Sequence, residues 1–276
     1  MKNIIHKGHI FIVITIILIS ILAVIFINHF EVLQVSFYPL VKNIEKTRLL
    51  KYVDNYEILE TEHFIIRYET EHKEYAELTG DIADRYYENI CNMYEYHPST
   101  KSNIIIYGNE KDFLENLRFD KSNTPIGVYY CGIINILSPE IWINDYENLS
   151  QIYEFNGPVV HEFAHLLIDD ITRGNYPMWL TEGLALYTEY KITGFEWNDY
   201  NSVDYKITLK DLDKRFDNID QMVAYRKSFE VVKGISETWG FEKLRNMLNV
   251  LGEGSNINQS ARAVLKINLY DLKNFD

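Results

Sequence analysis

The sequence predicts an α+β protein: a small mixed β-sheet, then a mostly helical second half, the whole preceded by one apolar helix. Three observations carry this. Short runs rich in β-branched and aromatic residues cluster before residue 140, apolar residues at helical spacing dominate after it, and the 18 residues from Ile10 to Ile27 carry no charge. Strands gathered ahead of helices, rather than alternating with them, mark the α+β class.

The apolar run comes first. Only Thr15 and Ser20 interrupt it. As a helix it would be about 27 Å long, close to the hydrocarbon thickness of a bilayer. A secretory signal has a shorter apolar region and a small-residue cleavage site. Here Ile21 stands two residues before Ala23, and no cysteine for lipid attachment lies nearby. An uncleaved single-pass anchor over residues 1–30 is therefore expected, placing the protein in the cell membrane. Lys2 and Lys7 before the span favour an inside N-terminus and an extracytoplasmic remainder, although Lys42, Lys46 and Arg48 after it pull the other way.

Residues 31–55 read as a juxtamembrane connector of mixed helical character, and 56–276 as one domain of sufficient size to bury a core. Within it, Phe64–Tyr68 alternates as a strand, Glu71–Tyr94 is an amphipathic helix ended before His97-Pro98, Asn103–Tyr107 is a strand and Glu110–Phe119 a short helix. The stretch from Ile126 to Leu137 reads as one or two strands broken at Gly132, which suits either a hairpin turn or close backbone approach. Gly157-Pro158 opens a helix, with Pro158 at its first position and Gly174 as its stop, and Pro177 opens the next. Beyond Gly194, helices are expected near Leu209–Phe216, Met222–Trp239, Phe241–Leu251 and Gln259–Leu265.

Composition narrows the function. A net charge of −13 excludes nucleic acid as a partner, because phosphate would be repelled. Two cysteines, Cys91 and Cys131, are too few for a disulfide scaffold; they read as free buried thiols, with a single pairing in an oxidising compartment as the alternative.

The chemistry lies in His161-Glu162-Phe163-Ala164-His165. Residues i and i+4 share one helix face, so both imidazoles can reach one ion, and the intervening glutamate is placed as a general base rather than a ligand. Val159, Val160, Phe163, Ala164, Leu167 and Ile168 make the helix largely buried, and it is too short before Asp169-Asp170 to span a bilayer, which excludes an intramembrane site. A catalytic zinc needs a third protein ligand. Glu182, on the helix opening at Pro177, can fold back onto the pair through the turn at Gly174, and Gly183 beside it allows close backbone approach.

His161-Glu162-x-x-His165 followed by Trp179-Leu180-Thr181-Glu182-Gly183 resembles the gluzincin metallopeptidases, and most closely the compact peptidase MA-like domains. Glu62 to Tyr68 resembles the opening strand of such domains, and Tyr225-x-x-Ser228 with Trp239 to Leu244 resembles their closing helices, so the likeness covers roughly residues 56–276. It implies a thermolysin-like arrangement with a Zn2+ site between sheet and helical half, His161, His165 and Glu182 as ligands, and Glu162 as base. Thr181 stands where many relatives have Asn. Leu186, four residues after Glu182, is not the acid of the thermolysin branch. Tyr225 matches the family position of an oxyanion donor, with core packing or an exposed ring as the alternative among 21 tyrosines. The resemblance further implies that the 126–137 strands bind an extended peptide beside the metal. Asp169 and Asp170 read as a solvated helix end.

The expected function is that of a membrane-anchored zinc metallopeptidase acting on a peptide or protein substrate. The alternative is a membrane-tethered, catalytically inactive peptidase-like binding module.

Overall fold

The computed structural model describes residues 14–20, 30–120, 124–194 and 207–272. Its first long element is a helix, α1 (Phe30–Tyr52), followed by the strands β1 (Glu57–Glu60) and β2 (Phe64–Tyr68), the helix α2 (Lys73–Tyr94), the strand β3 (Ser102–Tyr107) and the helix α3 (Glu110–Leu117). The hairpin β4 (Gly127–Tyr130) and β5 (Ile133–Leu137) comes next, then α4 (Pro139–Trp142) and α5 (Leu149–Asn156). The remainder is helical: α6 (Val159–Thr172), α7 (Met178–Thr193), α8 (Leu209–Arg215), α9 (Gln221–Trp239), α10 (Phe241–Gly252) and α11 (Ile257–Val264). The α+β expectation is met, and Pro158 and Pro177 cap α6 and α7 from one position outside each helix.

The sheet is mixed, in the order β1-β2-β3-β5-β4. β2, β3 and β5 run parallel, whereas β1 and β4 are antiparallel edges. Two faces are covered, which is why β3 is buried at every position and reads as an unbroken Ile104-Ile105-Ile106 run. Ile104 and Ile106 point into the larger core with Phe64, Ile82, Tyr87 and Phe163. Ile105 and Tyr107 point the other way, against Phe113, Leu117, Leu49 and Val53. Helix α1 thus helps to close the second face through Leu49, which is fully buried. β4 and β5 are joined by Cys131 at φ 47° and Gly132 at φ 84°, two consecutive left-handed residues that make the tight, twist-matched hairpin turn. Gly132 is therefore a turn glycine. Both cysteines are free and buried.

One expectation fails. Asp169 is not a solvated helix end but fully buried. The covering comes from residues far away in the chain. From α1, Tyr38 donates to Oδ1 and Lys42 donates to Oδ2, each at 2.5 Å. From β4, the Tyr129 hydroxyl donates to Oδ2 at 2.6 Å, and Tyr176 after α6 donates to Oδ1 at 3.3 Å. Asp170, partly exposed, pairs with Lys42 at 2.6 Å.

The run Ile10–Ile27 lies mostly outside the described residues. Of it, residues 14–20 are described and helical, with Ile14, Ile16, Ile17, Leu18 and Ile19 all more than half exposed. Among the described residues no helix is long and apolar enough to cross a membrane.

Removing one partner of a buried charge network leaves the other groups stranded, so Asp169→Ala should cost about 3–5 kcal/mol of stability, read as a fall in the urea midpoint followed by tryptophan fluorescence. The network also sets an alkaline limit. Burial, and then Asp169, push the Tyr38, Tyr129 and Tyr176 hydroxyls above their ordinary pKa. Burial lowers Lys42, but Asp169 and Asp170 outweigh it and raise it. Groups raised by folding contribute fully below their unfolded values, 10.0 for tyrosine and 10.5 for lysine, and lose that contribution as pH rises beyond them. The urea midpoint should fall above about pH 10, and Asp169→Asn should flatten that fall.

Candidate metal centre

Helix α6 carries His161, Glu162 and His165 on its buried first turns, and α7 returns antiparallel to it through the turn at Arg173 and Gly174, which sit at φ 54° and 72°. On α7, Gly183 has no room for a side chain: a Cβ would stand 2.4 Å from the Ser228 carbonyl oxygen and 2.7 Å from Val232 of α9. That close approach seats Glu182 opposite the two histidines, with Tyr225 of α9 in the same cleft.

The imidazole rings of His161 and His165 stand 4.7 Å apart, inclined at 74°. Their Nε2 atoms lie 3.4 and 3.6 Å from Oε2 of Glu182. These separations are long for hydrogen bonds, and Oε2 is buried without a hydrogen-bond partner. Three ligands held tetrahedrally at zinc distances would stand about 3.4 Å from one another. An orphaned buried carboxylate oxygen facing two ring nitrogens at that spacing fits a cation.

The far sides of both rings are held. His161 Nδ1 lies 3.0 Å from Glu189 Oε2, and His165 Nδ1 lies 2.6 Å from Thr181 Oγ1. With Nδ1–H donating in both rings, the two Nε2 lone pairs face Glu182, the arrangement that orients imidazole ligands. Neither Glu189 nor the role of Thr181 was apparent from the sequence. Glu189 lies seven residues, two helical turns, beyond Glu182, so helix periodicity could have found it.

The electrostatics favour positive charge. Burial pulls the His161 imidazolium down, but Glu189, Glu182 and Glu162 outweigh this and hold its pKa well above the ordinary range. Burial raises Glu182, yet His165 and His161 depress it far below the usual carboxylate value. Burial keeps Glu162 above its ordinary value against the pull of the same two rings. Three carboxylates against two imidazoles leave negative charge that burial makes costly.

Glu162 is fixed by β4: the Tyr129 backbone N–H donates to its Oε2 at 2.6 Å. Gly127 permits this, since a Cβ there would stand 2.3 Å from Pro158 and 3.2 Å from Glu162 Cγ. The other Glu162 oxygen has no protein partner among the described residues. Tyr225 is partly buried and packs near Phe216. Burial and Glu182 raise its hydroxyl well above the ordinary tyrosine pKa, so it stays protonated and able to donate. These residues, with Tyr176, Met178, Gln221 and the edge strand β4, line a cleft of about 780 Å³.

A second group, Glu69, Glu71 and His72, lies past the C-terminal end of β2. It differs in kind: His72 Nδ1 pairs with Glu140 at 2.9 Å and Glu69 accepts from the Gly108 N–H at 3.2 Å.

Comparison with curated proteins finds no match. The model of one family does match: that of the peptidase MA superfamily, over residues 92–275, about two thirds of the chain and all of the site just described. The chain belongs to the peptidase MA superfamily, with a peptidase-like fold.

Proposed function

We propose that the protein is a zinc metallopeptidase tethered to the membrane by its N-terminal apolar run, with the peptidase domain on the extracytoplasmic side. The observation that carries the catalytic reading is the convergence of His161 Nε2, His165 Nε2 and the orphaned Glu182 Oε2. These three residues would hold Zn2+. When bound, zinc would polarise a scissile carbonyl and make a water acidic near neutrality.

The chain's own residues supply the rest. Glu162 takes the proton of the attacking water on the oxygen left free by Tyr129, and returns it to the departing amine. Burial holds its carboxyl above the ordinary value, and a bound cation beside it would favour the ionised form. Tyr225 donates its hydroxyl to the oxygen that gains charge in the transition state. Glu189 and Thr181 fix the two rings, and the cleft beside β4 admits the peptide. The long Ile10–Ile27 run and the lysines before it support the tether and its orientation.

Glu162→Gln should retain zinc and the wild-type melting temperature while abolishing cleavage of a peptide library; full activity would refute the mechanism. Tyr225→Phe should lower kcat by about 100-fold or more with little change in KM, in steady-state assays of any cleaved peptide. Glu189→Gln and Thr181→Val should each weaken zinc about 10–100-fold, measured by competition with a chromogenic chelator. Stoichiometric zinc with no cleavage of any peptide would instead favour a binding module.

A further inference from the structure

Helix α1 is apolar on both sides. Its inward face buries Val35 and Leu49 and sends Tyr38 and Lys42 to the buried Asp169. Its outward face carries Phe37, Leu40, Val41 and Ile44, exposed by 62%, 59%, 52% and 57%. These stand at i, i+3, i+4 and i+7, one continuous apolar stripe opposite the docked side. No acidic or basic residue lies within the stripe in a chain of net charge −13. The exposed hydroxyls beside the stripe bond back to their own helix: Ser36 donates to the Val32 carbonyl at 2.7 Å, and Thr47 to the Asn43 carbonyl at 2.8 Å. Ser20 in the apolar run does the same with Ile16. Hydroxyls satisfied by their own helix suit surroundings that offer no hydrogen bonds.

A contiguous exposed apolar stripe of this kind marks an interaction surface. The occupant is indicated by what precedes it. The uncharged run ends at Ile27, ten residues before Phe37, a distance that even a fully extended chain spans in about 35 Å. We propose that the Phe37–Leu40–Val41–Ile44 face of α1 lies in the lipid interface, so that α1 docks the peptidase domain flat against the bilayer. This rests on the reading that the Ile10–Ile27 run anchors the chain, and adds a second, lateral contact to it. Because the opposite side of α1 holds Asp169 at the end of the histidine helix, the docking would fix the height of the cleft above the membrane.

The test uses the full chain reconstituted in phosphatidylcholine–phosphatidylglycerol vesicles, with a nitroxide on Val41→Cys and, as a control, on Ile58→Cys, which is 55% exposed on the edge strand β1. The two native cysteines are buried, which directs the label to the introduced thiol. The expected result is relaxation by oxygen exceeding that by a water-soluble nickel complex at position 41, and the reverse at position 58. A chain that floats with the vesicles but shows position 41 as nickel-accessible as position 58 overturns the docking and leaves the anchor standing. Dipolar broadening at position 41 that is relieved by unlabelled chain overturns it in favour of a second copy. A chain that fails to float overturns the anchor and the docking together.

Discussion

The buried carboxylate of Asp169 is the constraint on which the arrangement depends. It accepts hydrogen bonds from Tyr38 and Lys42 of α1, from Tyr129 of β4 and from Tyr176 at the head of α7. Three segments, two of them distant in sequence, are thereby tied to the end of the helix that carries both histidines. Removing any one partner strands the rest of a fully buried charge network and is strongly destabilising, so the four donors and Asp169 support one another. Tyr129 extends it to the reaction site: its hydroxyl binds Asp169 and its backbone N–H binds Glu162. The position of the proposed base and the docking of α1 are thus two ends of one set of bonds.

The site follows the same economy. Two rings, each fixed through Nδ1, turn their Nε2 atoms toward a carboxylate oxygen that has no other partner. Close packing of α7 on α9 at Gly183 puts that oxygen there and brings Tyr225 to the cleft. The surplus of buried carboxylates over imidazoles is costly without a cation and compensated with one.

Much of this was legible in the sequence, and the rest was not for identifiable reasons. The histidine pair and Glu182 are encoded locally, by helix spacing and a short turn, and the geometry brings them together. The strand pair around Gly132 was legible because positive φ demands such residues. Asp169 was misread because a charged pair at a helix end looks solvated, and the groups that bury it lie 127 to 131 residues away in α1 or on another strand. No local pattern reports a long-range pairing. β1 went unseen because Glu57–Glu60 has almost no apolar alternation, being an exposed edge. Thr181 looked like a mild departure from the related pattern, whereas its hydroxyl orients His165.

The central claim is that His161, His165 and Glu182 hold one catalytic zinc. Zinc K-edge X-ray absorption on the purified full chain tests it most directly. About one zinc per chain is expected, with nitrogen and oxygen ligands at about 2.0–2.1 Å and the multiple-scattering signature of two imidazoles. A chain purified without metal that takes up none when zinc is supplied, or a shell containing sulfur near 2.3 Å, would contradict it.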